Sequence, residues 1–252
     1  LRMYRTEYND KYGELVICCD SPHSWRRDHF PQYKASRKTG REESPLNWTQ
    51  IFGCFETIKE ELKTVFPYRF IQVDGAEADD IIGTIVTMNP DPNRDYNPEK
   101  IMIVSSDRDF LQLQKYKFVR QYSPLLKKEL VEKNPRLYLQ THIIKGDKGD
   151  GVPNIFSPDD IFHQDGVRQK PVTKKILEEF YTYGRDACKT DQERERWDRN
   201  ETCISLSHIP EEYKKAISDE YLNNKANGDK MSLYNYLMEN RCNLLLEEIE
   251  DF

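Results

Sequence analysis

The sequence predicts an α/β fold, a parallel sheet with helices on both faces, followed by a mostly helical region. Two observations carry this. Short, nearly continuous apolar runs alternate with amphipathic helical segments through the first part of the chain. After residue 135 the pattern is almost wholly helical. Strands alternating with helices imply crossover connections and a doubly wound layer structure.

The predicted strands are residues 14–19 (ELVICC), 69–73 (RFIQV) and 101–105 (IMIVS), rich in the β-branched residues of strands buried on both faces. Between the first two, residues 48–66 form an amphipathic helix with Ile51, Phe55, Ile58, Leu62 and Phe66 at helical spacing. Pro67 closes it. Residues 77–88 read as a second helix, and the proline-rich stretch 89–98 as a surface loop. A short helix at 109–115, a strand at 118–122, a Ser-Pro turn and a strand at 129–131 follow. Helices are then predicted at 137–145, 171–183, 192–199, 211–223 and 232–240. The change of pattern sets a domain boundary near Glu132, giving domains 1–132 and 133–252.

Composition narrows the class. Of 252 residues, 37% are hydrophobic and 33% charged, and no apolar run approaches the roughly 20 residues of a membrane span. The first residues lack the apolar core of a secretory signal, so a cytoplasmic protein is expected. Cys18, Cys19, Cys54, Cys188, Cys203 and Cys242 form no C-x-x-C pair, and the histidines show no zinc-ligand spacing, so reduced thiols are expected. The net charge of −6 is unlike that of most nucleic-acid-binding proteins. Its distribution is uneven, however: between Ser21 and Arg41 lie Arg26, Arg27, Lys34, Arg37, Lys38 and Arg41 against the single acid Asp28.

Acids follow each of the three predicted strands: Asp20 after VICC, Glu77, Asp79 and Asp80 after FIQV, and Asp107 and Asp109 after IMIVS. In a parallel sheet these strand ends would open on one edge, the usual ligand crevice. Carboxylates crowded there repel one another unless cations neutralise them. Oxygen ligands with no accompanying His or Cys point to Mg²⁺ or Mn²⁺. Each piece alone has a plainer reading, since acids at a helix start are favoured by its dipole and D-x-D is common in turns. A further acidic loop, Gly146 to Asp150 (GDKGD), carries Asp147 and Asp150. The basic stretch 25–43 interleaves cations with aromatics, a composition suited to tracking a nucleic-acid strand and equally present in a solvated basic helix.

Taken in order, CCD, WRRDHFPQYKASR, GAEADD, SSDRDF and GDKGD resemble the 5′-nuclease family, which includes flap endonucleases and the 5′-nuclease domains of bacterial DNA polymerases. Within that family the phrases QYSP (121–124) and KGDK (145–148) are most similar to the RNase H branch of T-even-type bacteriophages. The resemblance implies a nuclease core followed by a helical DNA-binding domain with a helix-turns-helix. It implies a structure-specific 5′-to-3′ exonuclease or flap endonuclease that hydrolyses RNA primers or 5′-flap DNA during replication, using two Mg²⁺ ions with Mn²⁺ as substitute. Asp20, Glu77, Asp79 and Asp107 would hold one ion, and Asp109 and Asp150, with Asp147 close by, the second. Lys34 and Arg37 would act on the scissile phosphate and, if the segment is helical, share a face. Tyr33 would stack on a nucleotide, and Arg26, Arg27, Lys38 and Lys148 would join Tyr33, Lys34 and Arg37 in binding DNA. Implied partners are branched DNA, RNA–DNA hybrids and replication proteins such as a single-strand-binding protein or sliding clamp, for a monomer in the cytoplasm of a phage host.

Two departures from the family pattern are visible. The family's first strand, which ends in a metal-binding aspartate, has no counterpart in the chain as given, so a preceding βα unit of roughly 30 residues is expected. The glycine-rich hairpin of the family's K⁺ site is also missing, because residues 152–170 contain only Gly166 as glycine. A PIN-type ribonuclease and a non-catalytic DNA-structure-binding fragment are the alternative readings.

Overall fold

The computed structural model describes residues 1–89, 98–164 and 166–252. Most of the loop predicted at 89–98 lies outside the described residues. In chain order the elements are α1 (Arg2–Tyr12), β1 (Val16–Cys18), α2 (Arg26–His29), α3 (Ser36–Glu42), α4 (Trp48–Thr64), β2 (Arg69–Ile71), α5 (Ala78–Met88) and β3 (Ile101–Val104). They continue with a 3₁₀ helix (Asp109–Lys115), β4 (Val119–Ser123), β5 (Lys128–Leu130), α6 (Pro135–Lys145), α7 (Lys174–Tyr183), α8 (Asp191–Ile204), α9 (Glu211–Asn223), α10 (Lys230–Glu239) and α11 (Asn243–Leu246). The fold is mixed α/β with a helical C-terminal part, as the sequence predicts. No described helix is long and apolar enough to cross a membrane.

The chain divides into two compact units that interleave along the sequence. The first comprises Leu1–Ser21, Pro45–Met102 and Glu212–Phe252. Here β1 and β2 pair in parallel, with Val16 opposite Arg69 and Cys18 opposite Ile71. One cluster beside them gathers Ile71, Ala76, Ile81 and Ile217, packed by Val16, Ile85 and Tyr213. A second gathers Tyr68, Leu233, Leu237 and Phe252. Helix α1 is missing from the sequence reading. Its aromatic residues recur every fourth position, and the rings of Tyr4 and Tyr8 stack 6.4 Å apart. Gly13, at φ 79°, ends it. Along α4 the apolar stripe read from the sequence is real in spacing, yet Phe55 and Ile58 are about half exposed.

The second unit comprises Pro22–Ser44 and Ile103–Glu211. Strands β3, β4 and β5 form a three-stranded sheet in that order. The antiparallel β4–β5 hairpin sets Gln121 opposite Leu130 and Ser123 opposite Lys128. A helical core joins Ile143 and Ile144 of α6, Phe180 of α7 and Trp197 of α8, with the last two rings stacked 5.6 Å apart. A smaller cluster joins Phe30, Tyr33, Val152, Cys203 and Ile204.

One expectation is corrected. The described strands do not make a single sheet with three acid-bearing strand ends: β1 and β2 form one sheet and β3 belongs to another. Just after β3, the Ser105 N–H donates to Tyr122 O of β4 at 3.0 Å. Asp20, Glu77, Asp79 and Asp80 belong to the first unit, and Asp107, Asp109, Asp147 and Asp150 to the second.

Candidate metal and phosphate site

In the first unit the acids gather where the chain leaves β1 and enters α5. Cys19 N–H donates to Ile71 O at 2.9 Å and Ser21 N–H to Ala76 O at 2.9 Å, tying the segment after β1 to the loop before α5. This brings Asp20 to the start of α5, where its Oδ1 accepts the Ala78 N–H at 2.7 Å. Glu77 is the N-cap residue and forms a reciprocal capping box with Asp80, whose Oδ2 accepts the Glu77 N–H at 2.9 Å. Carboxylates are stabilised at this end of a helix by its unpaired N–H groups. The helix-capping reading therefore accounts for Glu77 and for the fully buried Asp80. Asp79 is half-buried in the same first turn, while Asp20 is exposed.

In the second unit the acids arise from two turns. After β3, Asp107 Oδ1 accepts the Asp109 N–H at 2.9 Å, and Asp109 opens the 3₁₀ helix. After α6, the chain reverses at Gly146 with φ 68° and ψ −179°. Only glycine takes this conformation readily, and a Cβ there would lie 2.3 Å from the backbone oxygen of Val152. The loop is closed by the Val152 N–H to Asp147 O bond at 2.7 Å and by Asp147 Oδ1 accepting the Asp150 N–H at 3.1 Å.

Asp150 is where the basic segment meets this loop. Its Oδ1 accepts from Arg37 Nη2 at 2.6 Å and its Oδ2 from the Tyr33 hydroxyl at 2.9 Å. Lys34 Nζ stands 3.6 Å away, and the Lys34 backbone N–H donates to Asp150 O at 2.7 Å. Burial pushes the Asp150 carboxyl up, opposed by Lys34 and the Tyr33 hydroxyl. Lys34 and Arg37 thus converge, but not as two positions on one helix face. Lys34 has φ 56° in a left-handed turn, and α3 begins only at Ser36.

Two further expectations change. The Tyr33 ring is 3% exposed within its apolar cluster, so its hydroxyl orients Asp150 and its face is not presented for stacking. Arg26 is 2% exposed, donates to Cys203 O at 2.8 Å and stacks on the Trp25 ring. It is a buried strut between the start of the basic segment and α8, because its guanidinium satisfies a backbone carbonyl that water cannot reach. Arg27, Lys38 and Lys148 are exposed.

The residue that the sequence reading passed over is His142, in the last turn of α6. Its Nδ1 is 3.2 Å from Asp109 Oδ1 and its Nε2 is 3.2 Å from Asp147 Oδ2. The expectation of acids without histidine is therefore corrected: α6 packs along the 3₁₀ helix and carries an imidazole between the two acidic turns. Burial lowers the His142 pKa, but the hydrogen bonds to Asp109 and Asp147 outweigh it and carry the value up to about 10. His142 in turn holds the Asp147 carboxyl below its ordinary range. Asp109, His142 and Asp147 offer ligand atoms within 4.8 Å of one another. The two carboxylates are oxygen donors of the kind a divalent cation takes, whereas a charged imidazole has no lone pair for a metal and can only hold them.

Comparison with known proteins resolves the family. Residues 1–141 match the family described as 5′-3′ exonuclease, N-terminal resolvase-like domain, and residues 134–252 match the T4 RNase H C-terminal domain. The chain is also 31% identical over 249 residues to Ribonuclease H of Enterobacteria phage T4, covering 96% of this chain and 80% of that protein. The chain belongs to the 5′-3′ exonuclease family.

A second family relative, the 5′-3′ exonuclease of Buchnera aphidicola, is 26% identical over 157 residues, or 59% of this chain and 50% of that protein. Among solved structures, a bacteriophage T5 protein co-crystallised with metal ions has a TM-score of 0.59 at 18% identity, covering 88% of this chain and 90% of that one. The T5 flap endonuclease in a pseudo-enzyme-product complex with DNA and metal ions has a TM-score of 0.60 at 16% identity, with the same coverage. At these identities the likeness is one of fold. The signal that could have revealed His142 in this 5′-3′ exonuclease family member is its place five residues before Asp147, on the helix that delivers the acidic loop.

Proposed function

We propose that this protein is a structure-specific, divalent-metal-dependent nuclease acting 5′ to 3′ on RNA primers and 5′-flap DNA during replication. The observation that carries the reading is the match to a ribonuclease H across 96% of the chain. Mg²⁺ is the proposed working ion, two per active enzyme, with Mn²⁺ as a substitute. Asp20, Glu77 and Asp79 of the first unit and Asp107, Asp109, Asp147 and Asp150 of the second are the proposed ligands. When bound, such ions lower the pKa of the attacking water and stabilise the leaving oxygen.

The chain's own cations have a separate task. The Arg37 guanidinium and the Lys34 ammonium meet on one carboxylate, a geometry that a phosphate oxygen accepts equally well. Lys34 and Arg37 would offset charge building on the phosphate oxygens in the transition state. Arg27, Lys38 and Lys148 would hold the backbone and so bind without reading sequence. Residues 1–132 are proposed as the nuclease core and 133–252 as the DNA-binding domain. Flap DNA, RNA–DNA hybrids and replication proteins such as a single-strand-binding protein or sliding clamp are the proposed partners of a monomer working in host cytoplasm.

The test is cleavage of a 5′-flap and of an RNA-primed duplex as Mg²⁺ is titrated. Cleavage should require the ion, and Asp79→Asn and Asp107→Asn should each abolish it while flap binding in Ca²⁺ persists. Wild-type turnover in either variant at saturating Mg²⁺ would remove that residue from the proposed set, and metal-independent cleavage would overturn the reading.

A further inference from the structure

His142 stands in an arrangement that does more than fill space. Its two ring nitrogens face two different carboxylates, each at 3.2 Å, and those carboxylates come from turns that are distant in sequence. The ring cannot swing away cheaply, because Tyr138, one helical turn earlier, packs edge-on against it at 6.0 Å and 71°. Asn134 fixes the helix that presents both rings, its side chain accepting the Leu137 N–H at 3.1 Å. At the other end of α6 the Gly146 N–H donates to the His142 backbone oxygen at 2.8 Å, so the ring and the acidic loop are anchored to the same residue. The groups facing the ring are Asp109 and Asp147, with Tyr138 alongside.

We propose that His142 is a positioning residue that locks the Asp109 and Asp147 carboxylates in the orientation in which they serve a divalent cation. The inference rests on the metal-dependent reading above and deepens it. A ligating carboxylate free to rotate must give up that freedom when the ion binds. One already held by a hydrogen bond does not, and loss of such outer partners typically weakens metal affinity 10–100-fold. Holding both acids from one ring also fixes their separation, which neither turn sets by itself. His142 needs no contact with substrate to do this.

The experiment uses the full chain freed of metal, with Mn²⁺ as probe. Mn²⁺ binding is followed by electron paramagnetic resonance without DNA, and single-turnover flap cleavage is measured across Mn²⁺ concentration. His142→Ala should weaken the tightest Mn²⁺ binding by roughly 10-fold or more. It should shift the metal concentration for half-maximal cleavage upward by a similar factor, with the rate at saturating Mn²⁺ close to wild type. His142→Gln, which keeps one donor of similar reach, should recover part of the affinity, and circular dichroism of both variants guards against unfolding. Unchanged Mn²⁺ affinity in folded His142→Ala would overturn the proposal, as would tighter binding, which would make the ring a competitor of the ion. If the wild-type chain neither binds Mn²⁺ nor cleaves with it, the metal-dependent function falls as well. Wild-type cleavage that His142→Ala leaves untouched sinks only the role of His142.

Discussion

Lys34 adopts a backbone conformation that side chains with a Cβ take at a cost of about 1–2 kcal/mol. What holds it there is Asp150, which receives the Lys34 backbone N–H through its carbonyl and the ammonium through its carboxylate. The residue is thus aimed by a turn, and its neighbours in the basic segment are not. This separates two kinds of cation that look alike in sequence. Removing Lys34 should slow single-turnover flap cleavage by on the order of 10²-fold, as for loss of one transition-state donor, with little change in DNA binding. Lys34→Gly should show the same loss as Lys34→Ala although glycine relaxes the turn. Lys38 is exposed on α3, and Lys38→Ala should mainly weaken binding. Equal and small effects of the Lys34 and Lys38 substitutions on the single-turnover rate would mean that the segment is only a solvated basic surface. The spacing of Lys34 and Arg37 suggested a shared helix face, whereas the structure brings them together through a turn onto Asp150, a partner the sequence did not show. A contact between residues more than a hundred positions apart leaves no local trace in one sequence.

At the scale of elements, the acidic loop after α6 depends on Gly146. A Cβ there meets backbone, which cannot give way as a flexible side chain can. Gly146→Ala should cost at least roughly 1–3 kcal/mol in urea unfolding. A stability equal to wild type would show that the loop has another way to close. Helix α10 offers a test of a different kind, because Asp229 caps it by accepting the Ser232 N–H at 2.7 Å. That bond, with the Ser232 hydroxyl, holds the Asp229 carboxyl below its usual 3.8. A depressed carboxylate contributes stability above its unfolded pKa and loses it as pH falls through the folded value. Asp229→Ala should therefore lower Tm near neutral pH, and the gap from wild type should close as the pH falls through and below the ordinary carboxylate range. A gap that persists in acid would mean that the carboxylate's charge is not the source. The elements themselves were largely legible: β1, β2, β3 and α4 to α10 lie within a few residues of the apolar runs and helical spacings that predict them. Helix α1 was not, because its face is built of tyrosines, whose polar hydroxyls blur the apolar stripe.

For the molecule as a whole, a net charge of −6 coexists with a proposed polyanionic ligand, so DNA affinity must come from where the cations sit. Flap binding should weaken steeply with added salt, and removing the exposed Lys148 should lower the log–log salt slope by about 1 without favouring any sequence. A scrambled flap of the same shape that bound or cut differently would contradict recognition by structure. The sequence by itself determined the fold class, the element order and the family. Apolar periodicity is a local property, and an ordered series of short motifs is specific even when each motif alone is weak. Only the tertiary structure decided which acids and cations share a place. It set Asp20 at the start of α5, turned Arg26 and Tyr33 inward, and set His142 between Asp109 and Asp147. The physical reason is that charge, burial and hydrogen bonding act through space, over distances of a few ångströms. Chain order says little about which groups packing will bring that close.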